Sequence, residues 1–268
     1  FPFSGLVGVP HEGDWGVIPG LKESDYDDFK TVDYVVSKLN KKHQKPFFLA
    51  CGIFRPHLPW YAPQKYFDLY PIEEILLPDI LENDLDDIPR EGKELAAFRR
   101  GDFNKIKKSG KWKEAVQAYL ACISFADAQL GRVLDALEKN SRDKNTIIIF
   151  WSDHGWHLGE KQHWHKSTLW EEATRIPFTV VAPGITAAGS KCKRPIDTLC
   201  IFPTLLELCK LKPIKGLDGV SIVPLLKDPN MDWKIPAVSE FRRGQCAVRS
   251  ERYRYIRYSD GTSELYDH

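Results

Sequence analysis

An apolar run that stops at four chemically distinctive residues constrains this sequence more than any other feature. Residues 147–151 read I-I-I-F-W, and residues 152–155 follow at once as S-D-H-G. β-branched and aromatic residues of this kind are typical of a buried strand. In open α/β sheets, ligands bind just beyond the carboxyl ends of the strands. Asp153 and His154 are therefore placed where a carboxylate oxygen and an imidazole nitrogen can bind a metal.

A second predicted strand also ends in a polar loop that carries a histidine. Residues 47–51 have the apolar sequence F-F-L-A-C, and His57 lies in the loop of residues 52–60 that follows. A short apolar run between polar segments predicts a buried strand. Two strands would then present His57 and His154 at their carboxyl ends.

The order of the remaining elements predicts an α/β fold. Patterns of apolar and turn residues indicate, in chain order, a helix from residue 24 to 42, a helix at 112–140, a strand at 177–184 and a helix at 201–211. Alternating strands and helices favour a largely parallel sheet. After about residue 230 the pattern changes to short strands separated by turns, at 245–250, 253–259 and 264–267. We therefore predict an α/β core in residues 1–230 and a small antiparallel subdomain in residues 231–268.

The long helix at 112–140 contains a carboxylate within its predicted apolar stripe. The stripe follows spacings of three and four and consists of Val116, Leu120, Ile123, Leu130, Leu134 and Leu137. Asp127 falls in the middle of this stripe, so we predict that it is buried and accepts hydrogen bonds from the backbone or a nearby cation. A structural role is favoured over a catalytic one, because buried ion-pair networks also contain such residues.

Composition and charge exclude several classes of partner. The chain has 268 residues with 38 Lys and Arg against 37 Asp and Glu, and a net charge of +1 predicts neither nucleic acid nor an anionic membrane as partner. No apolar segment approaches the length of a membrane span. The local acidic run at residues 81–87 is predicted to be a solvated surface segment.

The six cysteines do not form a recognisable metal or redox motif. None lies in a C-x-x-C pair, so a zinc ribbon or a thioredoxin motif is disfavoured. Cys51 and Cys122 lie in apolar runs and are predicted to be small core residues. A disulfide among Cys192, Cys200 and Cys209 is conceivable from their proximity, and cysteine usage leaves the cellular compartment open.

The loop after the strand at 147–151 is unusually rich in histidine. Four of the eight histidines fall in residues 154–165, together with Lys161, Lys166 and several tryptophans. Such a loop can bind a metal, an anion or both, or it can be a polar surface loop with aromatic packing. No phosphate-binding glycine loop, G-x-S-x-G nucleophile elbow or H-E-x-x-H motif accompanies it.

These residues resemble a known family. The sequence S-D-H-G-W-H-L-G-E at 152–160, followed by W-H-K at 164–166, is similar to the second half of sulfatases, on the side of iduronate-2-sulfatase and choline-sulfatase. Supporting segments lie at residues 45–49, 55–60, 175–177, 217–219, 253–256 and 265–267. The resemblance covers nearly the whole chain and places it in the alkaline phosphatase superfamily.

The resemblance implies a fold and a reaction. The fold is an alkaline-phosphatase-like, mostly parallel central sheet flanked by helices, with a small C-terminal antiparallel sheet. The reaction is hydrolysis of a sulfate ester of a sugar or another small organic molecule at a calcium site. The nucleophile of the family is a formylglycine made from the first residue of C/S-x-P/A-x-R, and the resemblance also implies a periplasmic or secreted enzyme.

The resemblance also assigns roles to individual residues. Asp153 and His154 would be metal ligands, Lys166 would pair with sulfate oxygens, and His57 would contact the sulfate or protonate the leaving oxygen. These four side chains are expected to converge at one end of the sheet. A cation, a lysine and a histidine suit the negative charge that builds on a sulfate ester during transfer. Trp156, with Trp60 and His157, would line the substrate pocket.

The sequence departs from the family pattern at the nucleophile. None of the six cysteines stands in the modification motif: residues 51–55, C-G-I-F-R, have the Cys and Arg spacing without the central Pro or Ala. The paired aspartates of the family's first strand are also missing. We expect that this chain is the C-terminal part of a longer sulfatase and that it is inert by itself.

Two other functions stay open from the sequence. The first is a phosphodiesterase or phosphonate hydrolase of the same superfamily, where Asp-His pairs bind zinc or manganese. The second is a binding module that keeps the fold without catalysis. A C-x-P-S-R segment upstream would favour the sulfatase, and a bare Thr or Ser at that position would favour the phosphoryl enzyme. A full-length sequence that lacks both the nucleophile and the first pair of aspartates would favour the binding module.

Overall fold

A computed structural model describes residues 3–6, 13–98 and 100–268. The chain divides into two compact units, the first formed by residues 1–79 and 101–145 and the second by residues 80–100 and 146–268. Both units mix helices with strands, which confirms the predicted α/β class. The predicted division near residue 230 stays a prediction.

The described residues form short strands and one long helix among several short ones. The helices are α1 (Asp27–Leu39), α2 (Gln64–Phe67), α3 (Arg90–Ala97), α4 (Arg100–Lys108), α5 (Trp112–Lys139), α6 (Glu171–Thr174), α7 (Ile201–Leu208) and α8 (Val223–Lys227). The strands are β1 (Trp15–Gly16), β2 (Trp60–Tyr61), β3 (Ile148–Trp151), β4 (His157–Leu158), β5 (Trp164–His165), β6 (Phe178–Val181), β7 (Ala237–Arg242), β8 (Gln245–Arg249), β9 (Tyr253–Arg257) and β10 (Ser263–Asp267).

Helix α5 organises the first unit, and its buried face coincides only in part with the predicted stripe. The helix lies where the sequence predicts it and packs against α1 and α2. Its buried face is built largely from small residues, namely Ala115, Ala118, Ala121, Cys122 and Ala136, with Phe125 among them. Of the predicted stripe, Val116 and Leu137 are buried, whereas Ile123 and Leu134 are 39% and 40% exposed. Small side chains let neighbouring elements approach this face closely, so it is buried in preference to the face with the larger residues.

The prediction of a buried Asp127 is therefore wrong. Asp127 lies on the exposed face of α5, where water solvates the carboxylate. The buried polar residue of this helix is Gln129, which is fully buried and donates from its side-chain amide to Glu23 at 3.4 Å. Burying a neutral amide with a partner costs less than burying a carboxylate.

The predicted strand at residues 47–51 does not form. These residues make no ladder with another strand, and Phe48 is 84% exposed. The small β1–β2 pair is the parallel pairing of this unit. A strand needs a hydrogen-bonded neighbour, and the described residues supply none at 47–51.

In the second unit, the strand after residue 147 forms at the predicted place but is not buried. Strand β3 pairs with β6 in antiparallel register, with Ile149 opposite Val180. Phe150 is 37% and Trp151 46% exposed. The alternation of strands and helices predicts parallel neighbours, so the local pairing differs from that prediction. Phe150 and Trp151 are consecutive and therefore lie on opposite faces of the pair, so both faces are partly exposed.

The C-terminal antiparallel sheet is confirmed. Its strand order is β10-β9-β8-β7, and the sequence predicts all of these strands except β7. The inner face contributes Ala247 and Ile256 to a core that also contains Trp170. Leu85 and Ile88 belong to the same core and are 8% and 6% exposed, so the prediction of a purely solvated segment at 81–87 is wrong at Leu85. Asp86 and Asp87 are exposed, Asp84 is half-buried and pairs with Lys161 at 2.7 Å, and the apolar side chain of Leu85 anchors the segment.

A buried carboxylate ties the last strand of this sheet to the core. Glu264 accepts hydrogen bonds from the hydroxyl groups of Tyr258 and Tyr266 and, at 2.9 Å, from the indole of Trp170. Burial and the bonds to Glu264 raise the pKa of both tyrosines, so the hydroxyl groups stay protonated and remain donors. The carboxylate is thus solvated by protein donors in place of water.

All six cysteines are free, so the conceivable disulfide among Cys192, Cys200 and Cys209 does not form. Cys122 is buried as predicted, whereas Cys51 is only half-buried. Among the described residues, we find no helix whose length and apolar character would let it cross a membrane.

Candidate active site

The turn that carries Asp153 and His154 is held by a close backbone approach. The amide of Gly155 donates to the carbonyl of Ala173 at 2.8 Å. A Cβ atom at residue 155 would lie 2.0 Å from the carbonyl oxygen of Glu172, closer than any side chain can come. The glycine of S-D-H-G is therefore required by space, and it fixes the direction in which β3 presents the two preceding residues.

The hydrogen bonds of His154 assign its tautomer. Its Nδ1 lies 2.8 Å from the carbonyl oxygen of Gly155, so Nδ1 carries the proton and Nε2 carries the lone pair. Nε2 lies 2.7 Å from Nζ of Lys166 and 3.4 Å from Oδ2 of Asp153. The Asp153 side chain is 82% exposed and that of His154 is 25% exposed. A lone pair, a carboxylate and an ammonium group thus meet at a solvent-accessible position.

This arrangement fits one half of a metal site. A metal-ligating histidine typically donates its other ring N–H to a carbonyl, as His154 does to Gly155. The ammonium of Lys166 already places positive charge against Nε2, where a cation would lie. Within the residues that the structure describes, no group of three or more His, Cys, Asp or Glu side chains can hold a metal. Asp153 and His154 would therefore supply at most two of the six to eight ligands that a calcium ion takes.

Lys166 is presented by a loop with unusual backbone geometry. The φ angles of Lys161, Gln162, His165 and Ser167 are all positive, between 51° and 85°. Non-glycine residues adopt this conformation at a cost, and such strain is concentrated at functional sites. The ammonium group of Lys166 lies 5.9 Å from the ring centroid of Trp156, within the range of a cation–π contact.

A buried histidine holds the backbone of Lys166. Nε2 of His163 lies 2.8 Å from the carbonyl oxygen of Lys166, and Nδ1 lies 3.1 Å from that of Ala96. A neutral imidazole can donate to one of these carbonyls at a time. His163 is fully buried, and burial lowers its pKa, which favours the neutral ring.

His157 is also buried, so its predicted place in a substrate pocket is wrong. Its side chain has no exposed surface, and Nε2 lies 2.8 Å from the hydroxyl oxygen of Thr168. Burial lowers the pKa of His157 to about 3, and the ring stays neutral at physiological pH. The rings of His157 and His163 meet edge to face at 5.0 Å. These two histidines form the interior of the loop rather than its reactive surface.

Trp156 packs beneath the exposed residues of the loop. It is 9% exposed, and its ring lies 5.1 Å from that of His165 and 6.2 Å from that of His154. The contacts support Lys166 and His165 from below. Its predicted contact with a substrate stays a prediction.

His57 is presented by a loop that helix α1 holds in place. The carboxylate of Asp28, a buried residue, accepts hydrogen bonds from the amides of Phe54 at 2.6 Å and Arg55 at 3.0 Å. Nδ1 of His57 lies 2.7 Å from the carbonyl oxygen of Leu58, so Nδ1 is the protonated nitrogen of the neutral ring.

Trp60 packs beneath the loop that carries His57, and its predicted place in the substrate pocket is wrong. It is fully buried and donates from its indole to the carbonyl of Pro56 at 2.8 Å. A buried tryptophan with its donor used internally supports the loop that carries His57 and has no surface left for a substrate.

The structure brings three of the four predicted residues together. Asp153, His154 and Lys166 lie within one cluster of contacts in the second unit. His57 belongs to the first unit, and its convergence with the other three stays a prediction.

Sequence reasoning missed the residues that support this cluster. His163 and Gly155 were visible in the motif, but a sequence pattern does not show which histidine is buried or which glycine meets a carbonyl. Glu160 is a third case: its side chain accepts the amide of Leu158 at 2.7 Å, and burial raises its pKa. In the sequence, the signal for this turn was the pair Gly159-Glu160 shortly after the S-D-H-G motif.

The fold defines a class of protein, an α/β protein with a small C-terminal antiparallel sheet, and the cluster of Asp153, His154 and Lys166 lies beyond the carboxyl end of β3. The model of the sulfatase family matches residues 9–211, and the model of the C-terminal domain of N-sulphoglucosamine sulphohydrolase matches residues 159–268. The first match covers most of the chain. The chain belongs to the sulfatase family.

Relatives agree with this membership, and solved structures have the same fold. A sulfatase of Formosa agariphila is 43% identical over 257 residues, covering 95% of this chain and 50% of that protein. Iduronate 2-sulfatase of Mus musculus is 34% identical over 241 residues, covering 80% of this chain and 43% of that protein. A solved structure of a phosphonate monoester hydrolase from Silicibacter pomeroyi has a TM-score of 0.82 at 22% identity, covering 92% of this chain and 55% of that one.

Two facts follow from these comparisons. The structural likeness shows the shared fold, which confirms the alkaline-phosphatase-like class that the sequence predicts. The chain spans about half the length of the curated relatives it matches.

Proposed function

We propose that this chain supplies the cation-binding turn and the sulfate-binding lysine of a sulfuric ester hydrolase. The substrate class is a sulfate ester of a saccharide or of another small organic molecule. The observation that carries the proposal is the contact of 2.7 Å between Nζ of Lys166 and Nε2 of His154, next to the exposed carboxylate of Asp153. Positive charge on Lys166 suits a sulfate oxygen, and the Asp-His pair suits a divalent cation.

The residues of this chain have distinct tasks in the proposed reaction. Asp153 and Nε2 of His154 would hold calcium, which when bound supplies Lewis-acid stabilisation of a sulfate oxygen. Lys166 orients the sulfate and neutralises charge that grows on its oxygens during transfer. Since Nδ1 of His57 is engaged with the carbonyl of Leu58, Nε2 is the atom that would face the leaving oxygen. The neutral ring has its proton on Nδ1, so His57 would donate to the leaving oxygen from the imidazolium form, which then returns to the neutral ring.

The remaining parts of the site are proposed to lie outside this chain. These are the formylglycine nucleophile and the oxygen ligands that complete a calcium shell. The 268-residue chain by itself would then be inert. The proposal includes a periplasmic or secreted location, which follows from the family and not from a feature of the structure.

The test is the longer polypeptide that its coding sequence specifies. We expect a C/S-x-P/A-x-R segment and a pair of aspartates upstream of Phe1, and calcium-dependent hydrolysis of 4-nitrocatechol sulfate after maturation. Asp153→Asn should raise the calcium concentration for half-maximal activity at least about tenfold, since even supporting residues of metal sites have effects of this size. Asp260→Asn, at an exposed turn, is the matched control and should leave the calcium dependence unchanged. A coding sequence that lacks both the modification segment and the pair of aspartates upstream of Phe1 would refute the proposal.

A phosphonate monoester hydrolase is the second candidate function. The observation that favours it is the TM-score of 0.82 with the enzyme from Silicibacter pomeroyi. A histidine ligand also suits zinc or manganese better than calcium. Hydrolysis of 4-nitrophenyl phenylphosphonate that exceeds hydrolysis of the aryl sulfate would favour this candidate, as would a bare Thr or Ser at the nucleophile position.

A further inference from the structure

The acidic segment at residues 81–87 supplies one partner of a sheltered ion pair in the loop that presents Lys166. Nζ of Lys161 lies 2.7 Å from Oδ1 of Asp84, and the two side chains are 15% and 21% exposed. Water and salt screen a pair in this position much less than a pair at the surface. The pair therefore fixes the loop to the acidic segment.

Two aromatic rings also hold the ammonium group of Lys161. Its Nζ lies 5.1 Å from the ring centroid of Tyr266 and 5.9 Å from that of Trp170, within the range of cation–π contacts. Both rings donate hydrogen bonds to the buried carboxylate of Glu264, which fixes them in turn. The side chain of Lys161 thus has a defined position, set by one carboxylate and two rings.

The next two residues of the loop contact the same part of the chain. The side-chain amide of Gln162 donates to the carbonyl of Glu82 at 2.7 Å. Nδ1 of His163 lies 3.1 Å from the carbonyl oxygen of Ala96. We call residues 82–96 the bracing segment. Three consecutive loop residues therefore contact the bracing segment, so it determines the path of the loop.

The bracing segment is itself anchored to the C-terminal sheet. Its buried apolar residues belong to the same core as that sheet, namely Leu85, Ile88, Leu95 and Ala96. Glu91 is buried and accepts hydrogen bonds from the side chains of Gln245 at 2.9 Å and Ser259 at 2.6 Å. A Cβ atom on Gly92 would lie 2.6 Å from Oε1 of Glu264, so α3 approaches the sheet closely. Close packing of this kind makes the segment a rigid support.

The backbone of the loop needs such a support. Lys161 and Gln162 have φ angles of 53° and 51°, and His165 and Ser167, on either side of Lys166, have φ angles of 85° and 76°. Residues other than glycine keep this conformation only where the surrounding structure holds them in it. The contacts of the bracing segment hold the loop on the N-terminal side of Lys166.

We infer that the Asp84–Lys161 ion pair is a positioning device for Lys166. Asp84 and Lys161 are positioning residues, which fix the loop so that Nζ of Lys166 meets Nε2 of His154. The inference rests on the proposed function, because it concerns the lysine that is assigned there to the sulfate. A displacement of about 1 Å caused by a distant substitution can lower a reaction rate about 10²-fold, so the placement of Lys166 matters for turnover.

Steady-state kinetics of the mature longer polypeptide test the inference. Asp84→Asn removes the charge and keeps the shape of the side chain. We expect kcat for 4-nitrocatechol sulfate to fall at least about tenfold and KM to change less than about threefold, because alignment matters most in the transition state. Lys161→Arg, which keeps the charge, should retain most of the turnover, whereas Lys161→Gln should resemble Asp84→Asn.

An exposed ion pair of the same unit provides the matched control. Lys234 and Asp232 lie 2.9 Å apart, but their side chains are 84% and 75% exposed. Asp232→Asn should therefore leave kcat and KM unchanged. If Asp84→Asn does not fold, because the ammonium of Lys161 then lacks its partner, Lys161→Gln gives the test, since Asp84 is 21% exposed and water can solvate it. Unchanged kcat in both Asp84→Asn and Lys161→Gln would overturn the inference.

A second background separates positioning from a general structural role. If Asp84 acts through Lys166, Asp84→Asn should change turnover less than about twofold in a Lys166→Ala background, because the group that it positions is already absent. The same loss in both backgrounds would assign Asp84 to general stability and contradict the inference.

A spectroscopic readout separates the inference from the proposed function. Nε2 of His154 lies 2.7 Å from Nζ of Lys166, so its ¹⁵N chemical shift reports this contact. In the longer polypeptide in calcium-free buffer, we expect the shift to move in Asp84→Asn and to stay in Asp232→Asn. A wild type without sulfatase activity would refute the proposed function alone. The shift then decides the inference, and an unchanged shift in Asp84→Asn would refute it.

Discussion

The histidines of residues 154–163 fall into two groups with opposite environments. His154 lies at the surface with Asp153 and Lys166, and its Nε2 lone pair is directed at a charged group. His157 and His163 lie only a few residues further along, yet both are fully buried. The comparison shows that burial, rather than residue type or spacing, decides which histidine can take part in chemistry. The following predictions test this division.

The largest effect is expected at the reactive group. Lys166→Ala in the longer polypeptide should lower sulfatase turnover by about 10²–10³-fold, because under the proposed function it removes the charge that neutralises the sulfate oxygens. The free energy of unfolding should change by less than about 0.5 kcal/mol, since the side chain is not part of the core. Steady-state kinetics and urea denaturation measure the two quantities. Lys191→Ala, at an exposed lysine, is the control, and unchanged turnover in Lys166→Ala would remove this residue from the mechanism.

A large effect on stability is expected in the buried group. His163→Ala leaves one of the carbonyl groups of Ala96 and Lys166 without its donor and creates a cavity. The unfolding free energy should fall by about 3 kcal/mol, measured by urea denaturation of the chain. His43→Ala, at an exposed histidine, should change it by less than about 0.5 kcal/mol. Similar losses in the two variants would contradict the division of the histidines.

A smaller effect is expected at the glycine that shapes the turn. Gly155→Ala forces a Cβ atom to within 2.0 Å of the carbonyl oxygen of Glu172 and should destabilise the chain by about 2 kcal/mol. Gly131→Ala is the matched control within α5, where an added Cβ meets nothing within 4 Å. It should stabilise the chain by about 0.5–1 kcal/mol, because alanine favours a helix. Thermal unfolding of both variants reports the sign, and stabilisation by Gly155→Ala would refute the close approach.

The smallest effect is a pH dependence of the unfolding free energy that arises from His157, one of the two buried histidines. The pKa of His157 is about 3 in the folded chain and about 6.5 when unfolded. Between these values the unfolded state binds more protons, so stability falls as the pH decreases from about 6.5 towards 3. The contribution of one such group approaches about 1.4 kcal/mol per pH unit below its unfolded pKa. Urea denaturation between pH 7 and pH 5 should show this slope, and His157→Gln should reduce it. The same slope in both proteins would place the pH dependence elsewhere.

Much of the secondary structure could be predicted from the sequence, because it depends on local patterns. Helix α5 and the strands β8, β9 and β10 form where apolar spacing and turn residues place them. The cluster of Asp153, His154 and Lys166 was also predicted, although this depended on resemblance to a family. The physical pattern alone indicated a polar site at the end of β3 without choosing its chemistry.

Burial could not be predicted in the same way, because it depends on partners distant in sequence. Asp127 lies in the stripe of α5 that apolar spacing marks, but small alanines on another face are packed more closely. His157 and His163 have the same residue type and neighbours as His154, and only the fold separates them. The apolar residues of β3 were predicted to be buried, but Phe150 and Trp151 are exposed, and among the described residues β3 has β6 as its neighbour strand.

The buried carboxylate of Glu264 has a consequence for how this fold can be recombined. It binds Trp170, whose ring lies 6.0 Å from that of His157, so the last strand reaches the interior of the histidine loop through two contacts. The final hairpin and this loop therefore depend on each other structurally and have to be kept together. A chimera that exchanges the C-terminal sheet between two sulfatases must therefore include the matching loop. Without it, the buried carboxylate of Glu264 would lose a hydrogen-bond donor that replaces water.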